Sequence, residues 1–581
     1  MKSFLLLFPV LFWLPLHGQI LPSQRAANWQ QAGCMEVYPE NPVLINAFEY
    51  GILPDGVSDN SEALQQVIAA LNGTPGVIYF PEGHYHFAQP IHLASNVIIR
   101  GASANSTAFT FKLDEEKHLI YITGSKVEEN IHLAADGLKA DQQLSLTNTE
   151  SLSAGDYVYL FEDDHNLVHN DWAAYSTGQI CRIESIQDST VQLHQLLRRT
   201  FHTGKQARIV RINPVSQVGI EHLRLERLDA TQSQTSNIFF EYAADCWINC
   251  IESYNCNFAH VELKSSTNVE VRGSYFKDAF GYGNGGKAYG VMLHFGTGEC
   301  LIENNVFNHL RHAMILQAGA NGNVLAYNYS VNPYWTGVQL PSNAAGDLVL
   351  HGNYPYSNLM EGNIIQNIVI DNSHGVNGPY NTFFRNRAEL YGIFMNNNPA
   401  SHSQNFIANE ISNPGFLLGL YFIVGEDHFE LGNNALGNIL PTFVNNLEEH
   451  SLYLEESPDF FPPVYPWPAI GIPNDLEANM IPAKDRFQQG FFTSCAVQVI
   501  TKTDEIAASD LRVYPNPVSD LLNVETAEPI EEMKLFRTNG QLMWVVRNAD
   551  QINMEAFEKG VYSLLIRLAN EEGVVRKIVK H

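Results

Sequence analysis

Asn358-Leu-Met-Glu-Gly-Asn-Ile-Ile365, Asn381-Thr-Phe-Phe-Arg-Asn-Arg-Ala388 and Gln404-Asn-Phe-Ile-Ala-Asn-Glu-Ile411 share one pattern, a short strand closed by an asparagine. The closing residues Asn363, Asn386 and Asn409 stand 23 residues apart. Working outward, the same position falls on Asn328, Asn305, Ser274 and Ile251, and on Gly432 in the other direction. The intervals from Ile251 to Gly432 are 23, 31, 23, 35, 23, 23 and 23. A period this regular marks a solenoid with one coil per repeat, whose short strands return parallel to themselves. The expected fold is therefore all-β, a right-handed parallel β-helix of about 23 residues per coil. Asn305, Asn328, Asn363, Asn386 and Asn409 are expected to stack as a side-chain amide ladder.

The two long intervals contain the extra stretches Phe280–Gly290 and Tyr334–Gly346. Both enter at the same phase, so both should emerge on one face, the usual place for a binding surface on a solenoid. The β-helix is expected over residues 40–495. A capping helix opens it, with Leu64, Val67, Ile68 and Leu71 at helical spacing behind Asp59-x-x-Glu62, a capping-box pattern. Residues 130–210 break the period with alternating segments at 154–160, 179–183 and 190–194, which read as an inserted small β module. Residues 436–495, rich in proline and aromatics, suit a cover for the far end of the stack. A polar linker, 496–510, precedes a last unit, 511–581, whose alternating strands fold as a β-sandwich.

The amino terminus reads as a secretory signal over 1–18: Lys2, an apolar run Phe4–Leu16 and a small-residue site near Gly18. No later stretch reaches eighteen apolar residues, so no transmembrane segment is expected in the mature chain. The 34 Lys+Arg against 62 Asp+Glu give a formal charge of -28, which excludes nucleic acid as the main partner. Seven cysteines lack metal-type spacing, and Cys246, Cys250, Cys256 and Cys300 in repeat strands read as core residues.

Two resemblances add to this. Gly51-Ile-Leu-Pro-Asp-Gly-Val-Ser-Asp-Asn60, with Gly76-Val-Ile-Tyr-Phe-Pro-Glu-Gly83, resembles the start of the pectate-lyase superfamily. That resemblance implies the β-helix and suggests a polysaccharide substrate. Val513-Tyr-Pro-Asn-Pro-Val-Ser-Asp520, Thr538-Asn-Gly540, Lys559-Gly-Val-Tyr562 and a basic final strand resemble the type IX secretion sorting domain of Bacteroidetes. It implies the type IX secretion machinery as a partner, removal of the domain on export, and a secreted or cell-surface location. The chain is expected to act as a monomer.

Candidate site residues follow from counting within the coils. Val261-Glu-Leu-Lys264, Val291-Met-Leu-His294, Met314-Ile-Leu-Gln317 and Leu348-Val-Leu-His351 align, with their first and third residues inward. Lys264, His294, Gln317 and His351 then form an outward column at strand spacing, and counting on by 23 adds His374 and Asn397. A one-residue slip at Asp371-Asn-Ser-His374 would reverse that last step. Tyr282, Tyr334, Trp335 and Tyr354 lie on or beside the insertions and suit the apolar faces of sugar rings.

Three functions fit these residues. The pectate-lyase resemblance suggests β-elimination on a uronic-acid polymer, which needs a base and a group that neutralises the carboxylate. His351, His294 or Lys264 could be the base; Arg311, Arg385, Arg387 or a bound Ca²⁺ could be the neutraliser. Hydrolysis would use paired carboxylates, and Asp347 and Asp371, 24 residues apart, could meet across neighbouring coils. A non-catalytic glycan-binding surface protein would need the groove without the base. Arg385 and Arg387, beside Glu361, read as an ion-pair ladder.

Overall fold

At one corner of each coil the chain turns on a residue in the left-handed region, and the residue after it carries the ladder. In a computed structural model of the chain, Asn304, Tyr327, Gly362, Arg385, Ala408 and Gly432 all have φ between 53° and 65°, or within a degree of it. Asn305, Asn328, Asn363, Asn386, Asn409 and Asn433 follow them. Asn386 shows the unit. Its Nδ2 donates to Met360 O at 2.8 Å and to Asn409 Oδ1 at 3.1 Å, and its own Oδ1 accepts from Asn363 Nδ2 at 2.8 Å. The stack thus satisfies backbone groups at a buried corner that water cannot reach. Gly432, expected to be an anchor, is the corner residue of its coil, and Asn433 completes the ladder with a bond to Asn409 at 2.9 Å. A second ladder, Asn323, Asn358, Asn381 and Gln404, runs at another corner.

The structure describes residues 20–495 and 511–580, except 37, 40, 283–285, 335–345, 443–446, 464, 477–478, 527–528, 538–541, 556, 558 and 569–572. The signal 1–18 and the linker 496–510 lie outside the described residues. Strands on one face run from Val43–Asn46 through Leu301–Glu303, Val324–Ala326, Leu359–Glu361 and Thr382–Phe384 to Phe429–Leu431, all parallel. A second sheet holds the strands of the other two faces. On the third face Ile120–Thr123, Ile238–Glu241, Ala259–Lys264, Tyr289–His294, His312–Leu316, Leu348–Leu350 and the end of Ile364–Ile370 stack in that order. Inward residues such as Val261, Leu263, Val291, Met314, Leu350 and Ile370 build one continuous core.

The helix Ser61–Leu71 buries Leu64, Val67, Ile68 and Leu71 as its spacing predicts. Its amino end differs from a capping box: Asn60 is the cap position and makes no side-chain cap bond, while Asp59 Oδ1 accepts from Ser61 N and Ala88 N. The module leaves the coil after Thr123 and forms a six-stranded antiparallel sheet with its own core of Val158, Leu160, Ile183, Val191 and Ile209. A buried ion pair, Arg198 with Glu299, ties it to the coil, with Arg198 Nη1 donating to Asn321 Oδ1 at 2.7 Å.

The stretch after 436 differs from expectation. Instead of covering the far end, it runs back along the flank: Leu447, Tyr453, Phe461, Ile470 and Ile481 pack on Val306, Val324, Leu359, Phe384 and Ile407. Outward apolar residues at the ladder corners need this cover. Arg385 belongs to the same seam, donating to the carbonyls of Leu447, Glu449, Ile470 and Ile472, while Arg387 pairs with Glu410 and Glu389. The flank ends at a disulfide, Cys250–Cys495, so Cys250 is not merely a core residue. Contacts divide the chain between Ala496 and Val497. The second unit packs a three-stranded and a four-stranded antiparallel sheet around Leu522, Met533, Leu535, Ile552, Leu564 and Ile578, a small β-sandwich.

Candidate functional site

The strand register decides what shares the outward column. Lys264 pairs with His294; Leu293 with Leu316; Leu316 with Leu350; and Leu350 with Ile370. One residue beyond these pairs the column reads Lys264, His294, Gln317, His351, Asp371, with Asn396 next. His374 and Asn397 are therefore not column members. The strand Ile364–Ile370 crosses two faces with a shift in register near Gln366, so this coil closes in 20 residues and Asp371 takes the expected place of His374. His374 still arrives, from the turn that follows.

The column borders a cavity of about 750 Å³. It runs from His118, before the strand Ile120–Thr123, to Ser373 and His374, crossing seven stacked strands or ~29 Å. Its lining includes Glu262, Lys264, His294, Arg311, Gln317 and His351, with Trp172 and Phe295 as aromatic walls.

Most of the polar groups along it are held by partners. His351 Nδ1 donates to Asp371 Oδ2 at 2.6 Å, and Gln317 Nε2 donates to the His351 carbonyl at 3.1 Å. Burial raises the Asp371 carboxyl, but the hydrogen bond and charge of His351, with hydrogen bonds from Ser373, outweigh it and hold Asp371 well below the usual carboxylate range. In its neutral form, with the Nδ1 proton engaged by Asp371, the His351 ring would offer its Nε2 lone pair as an acceptor. His294 Nε2 donates to Glu262 Oε1 at 3.1 Å, and Ser236 Oγ donates to Glu262 Oε2 at 2.6 Å. Burial raises Glu262 also, and His294 and Ser236 bring it down below its ordinary value. His118 Nδ1 accepts from Ser236 N at 2.8 Å, so its neutral ring presents Nε2–H; burial lowers its basicity. Lys264 pairs with Glu241 at 2.8 Å. Arg311 forms no ion pair among the described residues.

Asp347 and Asp371 do not meet. Asp347 precedes Leu348, which pairs with Ile368, so Asp347 lies beside Asn367 and four residues, or ~13 Å, from Asp371 along the strand. Fully buried, it accepts from Ser330 Oγ at 2.6 Å and Gln366 N at 2.9 Å, and burial pushes it up to about 6. Three aromatic candidates also change place. Tyr282 and Tyr334 stack on each other at 4.2 Å beside His309 and Asp278, outside the cavity lining. Tyr354 packs against Tyr356 and faces Arg199 of the module. Trp335 lies outside the described residues.

Several lining residues were not anticipated, among them Glu262, His118, Phe295 and Trp172. Glu262 was legible, because alternation puts it outward two residues before Lys264. His118, Phe295 and Trp172 carry no signal in the repeat, and Trp172 reaches the cavity from a module with a separate core. The carboxylates present do not suit Ca²⁺, which needs six to eight oxygen ligands. Glu262, Asp371 and Glu241 are committed to histidine, serine or lysine. Among the described residues the one metal-like grouping is His222 with Cys250 and Cys495, whose sulfurs are bonded to each other.

Residues 44–136 match the family described as rhamnogalacturonase A/epimerase, pectate lyase-like. No curated protein matches the chain in sequence. Similar solved structures include the tailspike protein gp49 from Pseudomonas phage LKA1, at 15% identity and TM-score 0.48; the match covers 64% of this chain and 64% of that one. The tailspike gp61 of Pseudomonas phage phi297 matches at 15% identity and TM-score 0.48, over 68% of this chain and 74% of the other. An exopolygalacturonase from Thermotoga maritima matches at 11% identity and TM-score 0.37, over 71% and 95%. The chain thus spans just under two thirds of the length of the first of these. Residues 512–581 match the secretion system C-terminal sorting domain. No described helix is long and apolar enough to cross a membrane. The chain therefore carries a pectate-lyase-like segment at the start of its β-helix and a secretion sorting domain at residues 512–581, and its place is outside the cell or on its surface.

Proposed function

We propose that this protein binds a uronic-acid-containing polysaccharide along the cavity and cleaves it by β-elimination, with His351 as the base. The observation that supports this most is the His351–Asp371 pair, set in a cavity that also holds Lys264 and Arg311. A neutral imidazole with its Nδ1 proton engaged offers Nε2 to the proton alpha to a uronate carboxyl group. The C–H electrons form the ring double bond, the bond to the glycosidic oxygen breaks with its electron pair on that oxygen, and the leaving sugar takes up a proton returned by the imidazolium or by water. Asp371 fixes the tautomer and stabilises the imidazolium that forms, the part a buried carboxylate plays beside a catalytic histidine. Arg311 would neutralise the substrate carboxylate, whose negative charge otherwise resists formation of the carbanion, and Lys264, three strands away, would meet a more distant carboxylate of the polymer.

Hydrolysis is less well supported. It needs two carboxyl groups flanking the bond, one of them free to donate a proton. Among the described residues that line the cavity, Glu262 is the one carboxylate, and His294 and Ser236 engage it. The test is to incubate the full-length protein with polygalacturonate, alginate and neutral glucans. Ultraviolet absorbance of an unsaturated product, rising with reducing ends, is expected for one of the acidic polymers. Reducing ends without that absorbance would replace elimination by hydrolysis, and tight binding with neither would leave a glycan-binding surface protein.

A further inference from the structure

The inserted module has a core of its own, yet one loop of it enters the cavity. Residues 162–178 join the strands Tyr157–Phe161 and Gln179–Gln187 and are held at both ends. The buried Asp164 carboxylate accepts from Tyr175 N at 2.6 Å and Thr177 N at 3.0 Å. On the coil, Asn353 Oδ1 accepts from His169 N at 2.8 Å and Asn170 N at 3.1 Å. Between these anchors the short turn Asp171–Ala173 presents Trp172. Its ring contacts Phe295 at 5.8 Å and His374 at 5.7 Å, and the side chain remains 47% exposed. The amino-terminal Trp29, by contrast, is 1% exposed and packs wholly within the flank. A large aromatic left half open in a concave polar site is a feature of ligand surfaces and not of module packing.

The same loop sets the state of His374. Asn170 Oδ1 accepts from His374 Nδ1 at 2.7 Å and from Asn353 Nδ2 at 3.1 Å. The neutral His374 ring therefore offers Nε2 as an acceptor. Burial, and the neighbouring His351, lower its basicity and keep it in that form. Its ring lies 4.9 Å from that of His351. An apolar platform beside a neutral acceptor fits a pyranose ring, whose C–H face stacks while a ring hydroxyl donates.

We propose that the module loop His169–Trp172 builds a sugar subsite beside His351, with Trp172 as the stacking platform and His374, oriented by Asn170, as acceptor for a sugar hydroxyl. This rests on the reading of the cavity as a glycan site and adds that the module, not the coil alone, determines affinity there. The test uses the full-length protein, with hexasaccharides of galacturonate and of alginate titrated by calorimetry. Trp172→Ala should weaken binding of the hexasaccharide that binds by about tenfold, and Trp172→Phe should retain most of it. Turnover at saturation should change little in Trp172→Ala while KM rises. Should Trp172→Ala melt early, Trp172→Phe against Trp172→Leu carries the comparison. Wild-type affinity in Trp172→Ala, with cleavage intact, overturns the subsite and leaves elimination standing. Affinity that depends on Trp172 without any unsaturated product supports the subsite and overturns elimination. Absence of binding to either hexasaccharide overturns the subsite as proposed, even where a longer polymer is still cleaved.

Discussion

Two columns climb the same stack of coils with the same ~4.8 Å step, and they are built on opposite principles. At the ladder corner the residue is asparagine in six successive coils, each amide bonded to the next and to the backbone. At the cavity the residues are Lys264, His294, Gln317, His351 and Asp371, no two alike in role. A repeated amide satisfies itself, since each neighbour offers both a donor and an acceptor. A mixed column cannot: His294 and Lys264 turn to Glu262 and Glu241 off the column, His351 pairs with Asp371 on it, and the His351 ring lines the cavity. Uniformity in this solenoid column goes with structure, and variety goes with the column that the proposed function uses.

The sharpest way to break this contrast is His351→Ala. If the cavity column serves chemistry, turnover should fall by roughly 10²–10⁴-fold, the usual loss for a general base. Urea unfolding should move little, since the ring packs no core. A variant that unfolds early with its activity intact per folded molecule would place His351 with the ladder.

Asn386→Leu tests the other column. The substitution strands Asn363 N–H, one Nδ2–H of Asn363 and the Met360 carbonyl in a buried corner. At ~1–3 kcal/mol for each unmet buried group, a loss of about 3 kcal/mol or more is expected by urea titration. Turnover of the folded fraction should be unchanged.

Asp347→Asn sharpens the comparison by pH. Asp347 titrates at about 6 when folded, against ~3.9 for a free aspartate. Between these values the folded state binds more protons, so its stability falls as pH rises through that window and levels off above it. The asparagine can keep both hydrogen bonds without a charge, so the variant should lose this slope and be the more stable form at neutral pH. Activity should not change, because Asp347 lies outside the cavity. Parallel pH–stability curves for the two proteins would refute the assignment.

The smallest effect is expected from Lys264→Ala. Lys264 is shared with Glu241 and stands three strands from His351, so KM should rise a few-fold with kcat nearly constant. A large loss in kcat would move the reaction toward that end of the cavity.

The legible parts of the molecule were those in which local pattern and long-range order coincide. The 23-residue interval required parallel coils, because a strand repeated at a fixed short period can pair only with its own next copy. Alternation within Val291-Met-Leu-His294 and Leu348-Val-Leu-His351 then put both histidines outward, as they are. Counting failed where a coil changed length: the 20-residue step to Asp371 follows from one strand crossing two faces, and no local composition announces it. The flank after 436 was misread for a similar reason. Its prolines and aromatics indicate a cover, but which surface is bare depends on the outward side chains of many coils at once.

By itself, then, the sequence determined the solenoid, its ladder, the column from Lys264 to His351 and the address carried by residues 512–581. Each of these is written in period, parity or a contiguous motif. Only the tertiary structure decided that Asp371 holds His351, that Asp347 stands apart from it, and that Trp172 and His118 face the same cavity. Those meetings join residues from different coils or from a separate module, and their distances are set by the packing of whole elements, which no spacing along the chain encodes.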